Sequence, residues 1–324
     1  MRARLPHSVA VPPARNGRRV GTAVELRRVA VVRKISAVEQ QQRRSDAKLA
    51  HSIAVGDPLS DRVLLAHREH VASAAAVEAV LGARKLEFRV VESLTLRLAA
   101  WADLVVTVGG DGTFLRASHV LTGLGPDDGP PMLGVNSATS SSVGYFCAAT
   151  AASFAAILDK IDSGACHSEG LWRMQVSVND TLLPVHVLND VLLAHSVPAE
   201  TSRYVLEVAG RRQDQKSSGI WVSTAAGSTG AMRAAGGRVQ PLDGRSLQFR
   251  VREPMSWTFA GAPLVDGLFD DELVVTSRML AGEIYLDGGH LRRRFGFGDR
   301  IRFTPSPRPM PWIAPIDVEQ RRGG

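Results

Sequence analysis

The chain has 324 residues, 44% of them hydrophobic and 22% charged, a globular composition with core enough for one large or two ordinary domains. Its net charge of +7 is uneven: residues 1–28 hold seven arginines against Glu25, so the tail carries +6 and the other 296 residues +1, which argues against nucleic-acid binding by the body. No apolar run approaches the roughly 18–20 residues of a membrane-spanning helix, and two cysteines, Cys147 and Cys166, make neither a zinc site nor a disulfide framework, as in a reducing cytoplasm.

The basic tail has Pro6, Pro12 and Pro13 and no apolar segment of signal-peptide type. It is read as a disordered extension covering 1–28, or as the product of a start codon assigned too early, with only a faint transit-peptide character, and is set apart from the fold. RVAVVRK (28–34) then predicts a buried strand, and Ala72–Leu81 a helix within a longer periodic stretch. LEFRVV (86–91) and DLVVTV (103–108) predict strands, FLRASHVL (114–121) a helix, PMLGV (131–135) another strand and TAASFAAILDKI (150–161) a helix. Strands alternating with helices imply βα units and a parallel sheet.

The texture changes after that. Residues 174–196 alternate about a hairpin turn at Asn179-Asp180, and 203–212, 219–224, 246–251 and 271–277 continue in strand style, with turn chemistry at Asp287-Gly288-Gly289 and Gly298-Asp299. A short helix is expected near Ser228–Ala235. The fold class is thus an α/β N-terminal domain with a Rossmann-like parallel sheet, followed by a β-rich C-terminal domain. The expected division is 29–146 for the first, 147–298 for the second, and 299–324 as a C-terminal segment.

Three stretches carry chemistry. In Gly109-Gly110-Asp111-Gly112-Thr113 a strand ends and a helix begins, and glycines there let an anion approach backbone N–H groups. Neither G-x-G-x-x-G, which would need glycine at Leu115, nor a P-loop fits. Asp111 has two readings: a helix cap acting through Thr113, or a general base that activates a hydroxyl toward a phosphoryl donor. KSSGIWVSTAAGSTGAMRAAGG (216–237) is a strand, a small-residue turn and a helix start. Between them lie Asn189 and Asp190, adjacent residues that share one ligand only at a strand end or bulge. His67 and His70, three apart in an alanine-rich helix, are read as surface or capping residues rather than metal ligands.

In this order and spacing the three stretches resemble the NAD kinase family, with GGDGT at 109–113, an Asn-Asp pair at 189–190 where the family has Asn-Glu, and Gly-Ser-Thr at 227–229. QKSSGI (215–220) is most similar to the mitochondrial-type branch, and LDGG (286–289) falls where the family has Asp-Gly-Gln. The resemblance implies phosphorylation of the 2′-hydroxyl of the adenosine ribose of NAD or NADH, with ATP and Mg²⁺ (or polyphosphate) as donor. It implies Asp111 as base, with Gly109, Gly110, Gly112, Thr113 and Arg116 at the nucleotide phosphates. Asn189, Asp190, Lys216, Ser218, Thr229, Gly230, Ala231, Met232, Arg233 and Ala234, together with Asp111 and Gly112, would form the dinucleotide site, with no metal ligand from the protein. It further implies a cytoplasmic homo-oligomer, dimer or tetramer, whose last residues return to the first domain. The rival readings are a lipid kinase of the diacylglycerol or sphingosine type, which shares GGDGT, and a non-catalytic dinucleotide-binding relative.

Overall fold

The computed structural model describes residues 26–44, 47–127, 129–258 and 261–315. Most of the basic tail and residues 316–324 therefore lie outside the described residues. The tail's last residues do not: Leu26 is buried, and the amides of Arg27 and Arg28 donate to the Asp103 carboxylate. The expected boundary at 28 is corrected accordingly, because this carboxylate closes the start of the first strand.

The chain opens with β1 (Arg28–Arg33), α1 (Ala37–Arg44), α2 (Ala47–Ala54), α3 (Pro58–Ala83), β2 (Glu87–Val91) and α4 (Leu96–Trp101). It continues through β3 (Leu104–Gly109), α5 (Asp111–Leu121), β4 (Met132–Asn136), β5 (Cys147–Thr150), α6 (Phe154–Asp162) and β6 (Ser168–Leu171). These strands build a sheet in the order β2-β1-β3-β4, joined through the last strand of the chain to β6, with β5 also pairing β4. Pairing is parallel among β1 to β5. Both faces are covered, which is why β1, β3 and β4 read as unbroken apolar runs. Val29, Val31 and Val106 meet Val77 and Leu81 of α3 on one side, while Ala30, Val32 and Val105 meet Leu98 and Phe114 on the other.

The β-rich part follows with β7 (Met174–Val178), β8 (Thr181–Leu182), β9 (Asp190–His195), β10 (Ser202–Val208), β11 (Arg211–Ser217), β12 (Ile220–Ser223) and the single-turn α7 (Ala231–Ala234). Then come β13 (Leu247–Val251), β14 (Asp266–Phe269), β15 (Leu273–Ser277), β16 (Gly282–Leu286), β17 (Arg292–Phe295), β18 (Arg300–Pro305) and β19 (Met310–Ile313). Two antiparallel sheets result, ordered β11-β10-β15-β18-β7-β8 and β14-β13-β12-β9-β16-β17. They pack face to face: Tyr204, Leu206, Val275 and Phe303 of the first meet Val191, Leu193, Val222 and Phe249 of the second. Asn179 and Asp180 turn with positive φ of 50° and 62°, as the expected hairpin requires.

Sheet membership divides the chain differently from the expectation. β5, α6 and β6 belong with the parallel sheet, and β18 belongs with the sandwich. The reason is physical: β6 is the polar tetrapeptide Ser-Glu-Gly-Leu, which has no hydrophobic alternation to announce it. Among the described residues only β19 crosses back, pairing β4 in parallel and β6 antiparallel. His70 is corrected as well. It is buried within α3, and its ring nitrogens contact Ser137 Oγ at 2.9 Å and the Lys34 carbonyl at 2.7 Å, pinning the loops that follow β4 and β1.

Trp312 of β19 is buried, donates its indole N–H to the Phe146 carbonyl at 3.1 Å, and meets the Phe146 ring edge-on, which in turn stacks on Phe114. Trp312→Ala is expected to lower stability by about 3–5 kcal/mol, the usual cost of an emptied aromatic site. Denaturant unfolding followed by circular dichroism measures it.

Candidate functional site

β3 delivers the chain to Gly109 at the carboxyl end of the parallel sheet, where ligand crevices form in open α/β folds. The glycines of the turn differ in what they allow. A Cβ on Gly109 would lie 2.2 Å from Thr113 Oγ1, and one on Gly110 would lie 2.8 Å from Ser142 Oγ, whereas one on Gly112 would meet nothing within 4 Å. Gly109 is thus required by packing, while Gly112 borders open space.

Asp111 is the first residue of α5, and Gly110 is the N-cap. The Asp111 carboxylate accepts from two donors outside its own helix, the Phe146 amide at 2.9 Å and the Tyr145 amide at 3.1 Å. The loop closing β4 is thereby folded against the start of α5, and two backbone donors fix the plane of the carboxylate.

The second group of expected residues lies at the start of β9. Asn189 precedes the strand and Asp190 begins it, the strand-end placement that lets neighbouring side chains share a site. Asn189 Nδ2 donates to Asp190 Oδ2 at 3.1 Å. The 224–230 block folds onto this pair: Thr224 Oγ1 donates to the Leu188 carbonyl at 2.5 Å, and the Thr224 amide donates to the Asn189 carbonyl at 3.1 Å. Gly227 packs so tightly that a Cβ there would sit 2.0 Å from the Asn189 carbonyl oxygen. Gly230 lies beside both side chains, its Cβ position 3.5 Å from Asn189 Nδ2 and 3.9 Å from Asp190 Oδ2.

Asp190 pairs with Ser223 of β12, so the two share the outer face of their sheet with Leu192 and Trp221. The Ser223 hydroxyl is fully buried and has no hydrogen-bond partner. A buried hydroxyl left unmatched costs about 1–3 kcal/mol. A cleft of about 340 Å³ runs along this face from Gly288 and Gly289 past Leu192 and Trp221 to Ser218 and Arg252.

The carboxylate that organises this region escaped the sequence reading. Asp287 has no exposed side-chain surface. Its Oδ1 accepts from the Asn189 and Asp190 amides at 2.6 and 3.1 Å, and its Oδ2 accepts from the Leu188 amide at 2.9 Å and contacts His119 Nε2 at 2.8 Å. His119 stacks on His290 at 5.4 Å between ring centroids. Burial, and next the charge of Asp287, push the Asp190 carboxyl up to about 7. The available signal was LDGG itself, a turn whose aspartate takes φ +49° and whose next glycine takes φ +100°.

The other expected site residues are spread more widely. Arg116 is exposed on α5, close enough to His290 that its charge, after burial and His119, helps push that imidazole's pKa down. Thr229, Ala231 and Arg233 surround Gly230 at the surface of the site. Met232 is corrected: its side chain is fully buried under Gly237, so only its backbone could face a ligand. Lys216 and Ser218 lie beyond the far end of β12 from Ser223, so one chain does not bring them to Asn189 and Asp190. Among the described residues no group of three or more His, Cys, Asp or Glu is placed to hold a metal ion, and no helix is long and apolar enough to cross a membrane.

The family model described as the ATP-NAD kinase N-terminal domain matches residues 33–165. A protein of Oryza sativa subsp. japonica named probable NADH kinase is 37% identical over 225 residues, covering 62% of this chain and 68% of its own. Among solved structures, an NAD kinase from Archaeoglobus fulgidus in complex with ATP aligns with a TM-score of 0.65 at 20% identity, covering 91% of this chain and 98% of its own. Yeast NADH kinase complexed with NADH aligns at 0.65 and 14% identity, covering 92% and 86%. At those identities the two structures establish the fold.

The environment of Asp190 has a consequence for pH. Its folded pKa, raised from 3.8 to about 7, means the folded chain keeps a proton that the unfolded chain has released. Stability from this group is therefore present below about pH 4 and lost progressively as pH rises to about 7. Asp190→Asn removes the titration, so the variant's melting temperature relative to wild type is expected to rise between about pH 4 and pH 8. A flat difference across that range, measured by calorimetry, would contradict the assignment.

Proposed function

The chain belongs to the NAD kinase family, and on that premise we propose that it transfers the terminal phosphoryl group of ATP to the 2′-hydroxyl of the adenosine ribose of NAD or NADH. The observation that carries this reading is the orientation of Asp111, a carboxylate at the first residue of α5 that is held from outside its own helix by the Tyr145 and Phe146 amides. An ionised carboxylate offers about four acceptor directions, so two orienting bonds are compatible with accepting a proton from a substrate hydroxyl.

The proposed step is an in-line displacement. Asp111 accepts the 2′-hydroxyl proton as the ribose oxygen bonds to the terminal phosphorus, and the bond to the departing ADP oxygen breaks. The helix start beside Gly112 supplies favourable potential for the phosphates, and Arg116 an exposed positive charge. Asn189 and Asp190 would meet the ribose hydroxyls. A carboxyl that titrates near 7 can donate as well as accept, which suits a partner that is itself both donor and acceptor. Mg²⁺ would enter with ATP as part of the substrate, held chiefly by the phosphates. NADH is a reasonable acceptor to test first, given the printed name of the rice relative.

Two substitutions test the assignment. Asp111→Asn is expected to lower kcat by about 10²- to 10⁴-fold with little change in KM for the dinucleotide, read by NADP(H) formation from NAD and NADH. Near-normal turnover in that variant would sink the base assignment. Gly112→Ala faces open space inside a helix, so it should leave stability unchanged or raise it by up to about 1 kcal/mol, yet raise KM for ATP. A variant with unaltered kinetics would place the phosphates elsewhere.

A further inference from the structure

We propose that His119 and Asp287 are a positioning pair that fixes the Asn189-Asp190 edge of the site relative to the helix beginning with Asp111. The role assigned to that edge rests on the function proposed above; the mechanical coupling does not.

The argument starts from α5. Asp111 is its first residue and His119 lies eight residues on, about 12 Å along a helix that rises 1.5 Å per residue. A helix of this length, packed through Phe114, Leu115 and Leu121, moves as one body. Whatever holds His119 therefore also constrains Asp111. His119 is held by Asp287, which belongs to the other sheet system, 168 positions away in sequence.

Asp287 in turn grips the chain at the start of β9. Three consecutive amides, those of Leu188, Asn189 and Asp190, converge on its two oxygens, and its own amide donates to the Asp190 carbonyl at 2.9 Å. The positive φ of Asp287 and of Gly288 bends the chain after β16 so that the carboxylate folds back over the end of the neighbouring strand. The three amide bonds alone would make Asp287 a local plug for a strand end. The fourth contact makes it more than that, because it comes from the α/β unit and carries nothing needed by β9 itself.

The pair is enclosed. The His119 side chain is 9% exposed and the Asp287 side chain 0%. The His290 ring covers one face of His119. Little water competes for the bond, so its geometry is transmitted rather than dissipated.

Two variants separate coupling from packing. His119→Phe keeps a flat ring against His290 and loses the donor; His119→Gln places an amide N–H near the position of Nε2 and restores it. On the full chain, backbone hydrogen exchange of the Leu188, Asn189 and Asp190 amides is expected to speed up about tenfold or more in the Phe variant, the scale of one buried charge-assisted bond. It should return toward wild type in the Gln variant, with both melting within a few degrees of wild type. In the same proteins, kcat/KM for the dinucleotide should fall about tenfold in Phe, through both kcat and KM, and recover in Gln. Unchanged exchange at 188–190 in the Phe variant, or equal behaviour of Phe and Gln, would overturn the proposal. Should wild type phosphorylate neither NAD nor NADH, the functional reading falls while the exchange result still decides the coupling.

Discussion

A buried carboxylate with four donors around it joins the two halves of this protein where the candidate site lies. Taking such a group out of water unmatched would be prohibitive, and Asp287 is matched by three strand-end amides and an imidazole. The arrangement has a price at Asp190. That carboxyl is also buried, has Asn189 as a side-chain donor, and feels the negative charge next door, so its ionisation is displaced to about 7. Two neighbouring carboxyls with unequal donor sets divide the labour of charge and proton, which is how sites commonly come to contain both an acceptor and a donor at one pH.

A second chain of contacts runs to Asp111 from the other end of the molecule. β19 leaves the sandwich, enters the parallel sheet, and sets Trp312 against Phe146. The Phe146 carbonyl accepts from that indole while the Phe146 amide donates to the Asp111 carboxylate. The loop holding Asp111 is thus itself held from below by the last strand of the chain. Asp111 and the Asn189-Asp190 pair are each fixed by a residue distant in sequence, and α5 connects the two supports.

Much of this was legible in the residues, and the limits have physical causes. β1, β3 and β4 could be read because strands buried on both faces are continuous apolar runs. The glycine turn and the Asn-Asp pair could be read because their composition has few other uses. β5 and β6 could not, being short and semi-polar, with pairing decided by what lies beside them. The partners of Asp111 could not be read, since only the fold brings Tyr145 and Phe146 to its carboxylate. His119 was out of reach altogether, and Asp287 showed only as a turn residue of LDGG, since its donors come from strand ends and from a helix 168 positions earlier. Ser218 and Lys216 show the converse, a family motif that carried positions whose place in one chain is beyond the far end of β12.

The glycines of the two motifs illustrate why a motif is less than a mechanism. Gly109 and Gly227 admit no side chain because Thr113 and the Asn189 carbonyl occupy the space, so any chain with this fold needs them whether or not it binds nucleotides. Gly112 and Gly289 meet nothing of the protein within 4 Å. An absent side chain that no protein atom demands is better explained by something that approaches from outside, and Gly112 lies in the same helical turn as Asp111. Ser223 is different, because its hydroxyl lacks a partner and is also closed to solvent, so it records a local packing cost in register with Asp190 and not a contact offered to a ligand. Open space at the first turn of α5, beside a carboxylate held in place by two amides, is what a ligand approaching from outside would use.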